Sequence, residues 1–328
     1  MRITGDHERA CAALDKAAAV ALASDLAAEL ARVHYLRGSL HFPRGELEGC
    51  LREHGLALVQ ARRAGSPEIE AQALSGLGDA EYGRGRMVTA HACFQRCVTL
   101  CRGHGLGRIE VANLGAAGLT RLYLSDPRGA AADLLAAVEA ALRVGNRRAE
   151  LILRLDAALA LWELGEPDRA REQVDRSMAL VHVLGARRFE AEGLLLEARL
   201  LHGAGRRVEA LRVLERAMTV SRETGVDYLG AVIAGEVAVA AEVADVRAQA
   251  LAEGAAILAA RTVSHNHLWF HRRAMEAALG AGDWSAVERH AGALEAYTRS
   301  EPLPWAGTSS WPGVVPWRGM GAACVAGR

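Results

Sequence analysis

Residues 66–105 read SPEIEAQALSGLGDAEYGRGRMVTAHACFQRCVTLCRGHG, and this stretch decides the fold. Ser66 followed by Pro67, with Glu68 and Glu70 behind them, marks a helix start. A small polar residue can cap, proline suits the first helical position, and carboxylates meet the positive end of the helix dipole. That helix is predicted to run to about Tyr82, where Gly83-Arg84-Gly85 stops it. A second is predicted from about Met87 to Arg102, closed by Gly103 to Gly105, because glycine accepts the left-handed backbone that ends helices. Leu74 and Leu77 on the first helix, and Phe94 and Val98 on the second, stand at spacings that put apolar side chains on one face. Gly78, Ala90 and Cys97 are the small residues expected where the two helices touch.

The same beat continues on both sides. Gly65, Gly105, Gly145, Gly185 and Gly225 are each 40 residues apart (105−65, and so on). Gly45, Gly85, Ser125, Gly165 and Gly205 keep that interval, as do Gly38, Gly78, Gly118, Ala158 and Ala198. Independent registers that agree on one period define a tandem repeat. A helical hairpin buries its apolar flank only against the next hairpin, so the expected fold is an all-α solenoid of about seven hairpins in a right-handed superhelix. Residues 1–24 are expected to form an orphan half-repeat, 25–304 the solenoid and 305–328 an irregular tail. After Gly225 the register slips, and helix pairs are expected at 228–243 with 246–260 and at 267–279 with 284–298.

Composition narrows the function classes. The chain is 51% hydrophobic with a formal net charge of zero, whereas nucleic-acid binders usually carry a basic excess. Lys16 is the one lysine, which removes a phosphate-loop lysine, a Schiff base and a kinase site. No apolar run has the length of a membrane span, and Asp6, His7, Glu8 and Arg9 occupy the place of a signal-peptide core. The expected location is the cytoplasm, with thiols reduced.

The Leu77-Gly78 pair, Ala90 and Phe94 are similar in spacing to the tetratricopeptide pattern, with a period longer than that family's usual one. Longer strings add a second resemblance: residues 34–42 (HYLRGSLHF), 76–82 (GLGDAEY), 265–270 (HNHLWF) and 302–306 (PLPWA). Over about residues 20–306 the chain resembles the C-terminal repeat region of large bacterial class III adenylate/guanylate cyclase homologues, in which a cyclase domain and an AAA-type ATPase precede the repeats. That resemblance implies a regulatory piece to which no catalytic residue carries over. Family members continue past the proline-tryptophan-alanine with a further helix, where this chain has Gly307 to Gly313. The tail is accordingly expected to be a frameshift product, and the chain a fragment of a longer parent.

Candidate sites fall into two groups. Cys93, Cys97 and Cys101 share a helical face, and His265, His267 and His271 form an H-x-H-x3-H group, so either set could ligate a metal. The packing reading is preferred. Cys97 stands in the register of Ala57, Ala137 and Ala217, and Trp269 and Phe270 mark a packing junction beside the histidines. No metal, cofactor or catalytic residue is assigned. The favoured site is the concave groove lined by the first helices of successive units: Arg32, Tyr35 and Ser39; Gln72, Ser75, Asp79 and Tyr82; Asn113; and Glu192, Arg199 and His202. Its expected occupant is a protein or peptide, such as a neighbouring ATPase or cyclase domain, and neither nucleic acid nor membrane. The alternative is a small-molecule-sensing solenoid that controls an attached ATPase or cyclase, with Tyr35, Tyr82 and Trp162 around the pocket.

Overall fold

The computed structural model describes residues 7–260 and 262–306, so the expectation for the tail from Gly307 lies outside the described residues. Among the described residues, a lone helix α1 (His7–Ala23) leads into seven hairpins. These are α2–α3 (Ala27–His41, Leu47–Arg63), α4–α5 (Pro67–Gly83, Met87–His104), α6–α7 (Gly107–Leu122, Pro127–Arg143) and α8–α9 (Arg147–Glu163, Pro167–Leu184). They continue as α10–α11 (Arg187–Gly203, Arg207–Thr224), α12–α13 (Val226–Ala240, Ala244–Ala259) and α14–α15 (Ser264–Ala281, Trp284–Thr298), before a 3-10 turn at Pro304–Ala306. Among the described residues there is no strand, and no helix is long and apolar enough to cross a membrane.

The glycine series does what its spacing requires. Gly45, Gly65, Gly85 and Gly105 all take φ between +59° and +78° at the hairpin and inter-hairpin turns. Ser125 takes the same left-handed conformation, φ +62°, where the series lacks glycine. Gly225 departs, with φ +128°, at the point where the register slips. Helix starts are less uniform. Asp126, Asn146 and Asp283 accept a hydrogen bond from the backbone N–H three residues on, at 2.8, 3.1 and 2.9 Å. Ser66, expected to cap α4, makes no such side-chain bond, so Pro67 and the turn at Gly65 set that start instead.

Within each hairpin the first helix presses onto the second at one recurring point. A Cβ on Gly78 would lie 2.6 Å from the Phe94 ring, one on Gly118 2.7 Å from Leu134, and one on Gly38 2.6 Å from His54. The partners again stand 40 residues apart (94−54, 134−94). Val174 and Leu214 continue that row, buried like Ala158 and Ala198, the alanines of the facing series. A ring or a leucine on one helix thus meets a missing side chain on the other, which brings the axes close.

The first helices form the inner layer, with α2 touching α4, α4 touching α6, α6 touching α8, α8 touching α10 and α10 touching α12. The last hairpin breaks this order. α14 packs directly along α12, and the approach is close at Gly235, where an added Cβ would lie 3.5 Å from the Phe270 Cα and 3.0 Å from the Arg273 Cβ. α13 meets α14 far less than α12 does, and only its Ala250 and Gly254 are buried.

Candidate functional site

The inner layer holds two different places. Towards the N-terminus, α2, α4 and α6 leave an open groove of about 510 Å³. Tyr35, Gln72, Ser75 and Asn113, all expected there, line it together with Glu68 and Arg108. Asn113 is 3% exposed and donates to the Ile109 carbonyl at 2.9 Å, so one of its donors is committed to its own helix. Arg32 and Asp79 are exposed on α2 and α4 but line no part of the groove. Ser39 donates to the Tyr35 carbonyl one turn back, at 2.9 Å.

Further along, the inner layer is covered by the chain itself. The C-terminal hairpin reaches back across more than 180 residues of sequence. Ser264 donates to the Tyr82 carbonyl, and the Tyr82 hydroxyl donates to His265 Nδ1 at 3.1 Å. His265 Nε2 in turn donates to the Tyr228 carbonyl at 2.5 Å. Burial holds His265 well below its usual range, at about 4, so the ring stays neutral and bridges a donor and an acceptor. Trp269 Nε1 donates to the Tyr123 hydroxyl at 3.1 Å, and the Trp305 backbone N–H meets the Tyr123 carbonyl at 3.4 Å. Trp305 falls within the stretch expected to be an irregular tail, yet it is 3% exposed and packs edge-on against Tyr123 and Trp269. Glu301 accepts from the Val88 and Thr89 N–H groups, with Val88 at 2.7 Å, so it neutralises the N-terminus of α5.

An arginine–tryptophan stack fastens this closure. Arg199 lies between Trp162 and Trp269, 4.7 and 4.5 Å from their ring centres. Its Nε donates to Glu236 at 2.6 Å, and Arg273 Nε donates to the same oxygen at 2.7 Å. Arg273 also sits 4.6 Å over Trp162. Arg272 donates to Glu163 at 2.9 Å and covers Trp305 at 4.6 Å. Trp162, expected at a pocket wall, is part of this stack.

Beneath the closure lies a cavity of about 60 Å³. Tyr82, Glu192 and Arg199, all expected in the groove, do meet here, but under α14 and not in an open channel. His202, expected with them, is half-buried near the end of α10 and lines neither place. The sequence reading missed Asp156, Tyr123 and Tyr228 and did not connect His265 and Trp269 to this place. Asp156 left a signal: it holds the register of Gly76, Ala116 and Leu196, where an acid is out of place. Burial raises the Asp156 carboxyl well above the carboxylate range, and the nearby Glu192 charge adds to this. Burial pushes Glu192 up to about 7, against the pull of Arg188 and the Tyr228 hydroxyl. Burial therefore favours the protonated form of both acids.

The cysteine and histidine groups do not form centres. Cys97 Sγ donates to the Ala71 carbonyl at 3.2 Å, and burial pushes its thiol up to about 12. The three histidines diverge. His265 turns to Tyr82, His267 stacks on Tyr297 at 4.4 Å, and His271 meets His290 at 3.1 Å. Among the described residues no group of three potential ligands is gathered for a metal.

No family model and no curated protein sequence matches the chain. Its architecture is similar to that of several solved structures. One is a Rap protein complexed with competence and sporulation factor (12% identical, TM-score 0.67, 83% of this chain and 76% of that one). Another is the Rap conjugation gene regulator of plasmid pLS20 in complex with the Phr* peptide (15% identical, TM-score 0.66, 82% and 74%). A third is aspartyl phosphate phosphatase F from Bacillus subtilis (11% identical, TM-score 0.65, 90% and 77%). At these identities the likeness is one of fold: a helical-repeat architecture shared with regulators. No similarity found links the chain to the cyclase–ATPase proteins that its repeat strings resemble.

Proposed function

We propose that this chain is a non-catalytic helical-repeat regulator that binds a short peptide, or an extended segment of a partner protein, in the open groove of α2, α4 and α6. The observation that carries this reading is the division of the inner layer. The groove of about 510 Å³ is open to solvent, while the neighbouring stretch at Tyr82 and Tyr123 is covered by the C-terminal hairpin. Gln72 and Ser75 supply amide and hydroxyl groups of the kind that bond to peptide main chain, and Tyr35 offers a ring for one side chain. Glu68 and Arg108 give the groove both signs of charge, which suits the dipolar backbone of an extended segment. The peptide-bound Rap structure supports the reading by fold alone. The resemblance to cyclase-linked repeats adds an ATPase or cyclase domain as one partner such a regulator would serve, in a cytoplasmic setting.

A fluorescent peptide library screened by anisotropy against the full chain tests the proposal. Binders are expected, and Gln72→Ala combined with Tyr35→Ala should weaken them at least tenfold, a loss of about 1.4 kcal/mol. Leu159→Ala, which alters the cavity under α14, should leave the affinity unchanged. Binders that ignore the groove variants would overturn the reading.

A further inference from the structure

We propose that the cavity under α14 is a binding site for a small organic cation, a primary ammonium ion of methylammonium to ethanolammonium size, held between the carboxylates of Asp156 and Glu192.

The first observation is an unused acid. Asp156 is 7% exposed, lines the cavity, and receives no hydrogen bond and no ion pair from any described residue. A buried carboxylate without a partner costs stability unless a proton or a cation accompanies it. The second is the disposition of the nearby cations. Arg199 is committed to Glu236 and its two tryptophans, and Arg188 lies 4.3 Å over the outer ring of Tyr228. Buried Arg154 bonds Glu150 and Gln173 on the other side of α8. Arg188 and Arg199 still pull on Glu192, but none of these cations bonds Asp156, so Asp156 is the acid whose charge has no partner.

The walls select what could supply that charge. Leu119, Leu195 and Val232 are apolar, and Tyr82 adds an aromatic ring of the kind that attracts a cation. A hard divalent ion asks for six or more oxygens, which these walls do not offer. A primary ammonium has three N–H donors, matching two carboxylates and one tyrosine oxygen, and its carbon end fits the leucines. About 60 Å³ at roughly 10–15 Å³ per water-sized atom leaves room for about four to six such atoms. Helices α4, α6, α8, α10, α12 and α14 all contribute to the walls, so an occupant would tie the C-terminal hairpin to the inner layer.

Binding should be linked to protons. Asp156 and Glu192 face Tyr82, Tyr123, Tyr228, His265 and Arg199, with Arg188 nearby. The tyrosines and His265 are neutral near pH 7, so the acids are the groups from which an arriving ammonium would displace a proton into solvent.

The test is thermal unfolding and titration calorimetry of the full chain with methylammonium, ethylammonium and ethanolammonium chlorides. Sodium and tetramethylammonium chlorides at equal ionic strength are the controls. The expected result is a saturable rise in Tm with the primary ammonium ions alone, and proton release on binding in buffers of different ionisation heat. Asp156→Asn, and independently Leu119→Phe to fill the space, should each weaken binding at least tenfold. Glu223→Gln on the surface should not. If one cavity variant fails to fold, the other decides. No saturable effect, an equal effect of tetramethylammonium, or binding undiminished in the folded cavity variants would overturn the proposal. The site shares no residue with the N-terminal groove, so its failure would leave the peptide reading untouched.

Discussion

The groove of α2–α6 and the cavity under α14 are made by the same repeat, with the same turns and small residues in the same register, glycine at 38, 78 and 118 and alanine at 158 and 198. One is open and lined by Gln72, Ser75 and Asn113; the other is roofed and lined by buried acids and rings. The repeat therefore sets the curvature but not what the inner surface does. That is set by the last hairpin, which leaves the register after Gly225 and lies along α12. A solenoid that closes on itself has an inner surface of two kinds: a part that partners can reach, and a part whose exposure depends on its own C-terminal end.

The sharpest way to break this contrast is at Glu236. It compensates two buried guanidinium groups, Arg199 and Arg273, which join α10, α12 and α14. Glu236→Gln leaves Arg199 without its ion-pair partner and Arg273 with the exposed Glu276, and the loss should be about 3–5 kcal/mol in urea unfolding. The loosened region should be the closed half. Hydrogen exchange is expected to rise in α12–α15 while α2–α5 stays protected.

A smaller effect comes from the acids. The folded pKa values of Asp156 and Glu192 lie above their ordinary values. Their contribution is therefore fully present below the ordinary carboxylate range and is lost as pH rises through their raised folded values, about 7 for Glu192. His265 acts in the opposite sense: its value is depressed to about 4, so its contribution is lost as pH falls towards that value. The Tm should peak in the mildly acidic range. Asp156→Asn should flatten the alkaline limb and leave the acid limb in place, as a Tm series from about pH 5 to 9 would show.

The smallest effect lies in the turn between α6 and α7. Ser125 holds a left-handed backbone that a side chain disfavours by about 1 kcal/mol, so Ser125→Gly should stabilise by roughly that amount. Because the change is local, it should do so whether or not the C-terminal hairpin is docked. The same urea experiment on a Glu236→Gln background checks this additivity.

Much of the fold was legible because it is local. A 40-residue beat of turns, including Ser125, is written in residues that act on their own backbone. Part of the groove was legible for the same reason: Tyr35, Gln72, Ser75 and Asn113 share the inner face by register. The closure was not legible. That Tyr82 meets His265 follows from the sum of small rotations over successive hairpins, which no local spacing encodes. His265, Trp269 and Trp305 could be read as packing residues, but their partners Tyr123 and Tyr82 lie far off in sequence. Asp156 was visible as an acid in a register otherwise held by uncharged residues, and only the roof over it turns that oddity into a site.

The closure itself can be tested by cross-linking. Glu301 touches the start of α5 through Val88 and Thr89, 212 residues from it at Thr89. In a chain with Cys11, Cys93 and Cys324 replaced by serine, Thr89→Cys with Glu301→Cys should be joined within one molecule by a short dithiol-reactive linker. The yield should be comparable to that of Asp25→Cys with Arg63→Cys, an ion-paired couple at the ends of the first hairpin. A linked control pair beside an unlinked 89–301 pair would contradict the closed inner surface on which this account stands.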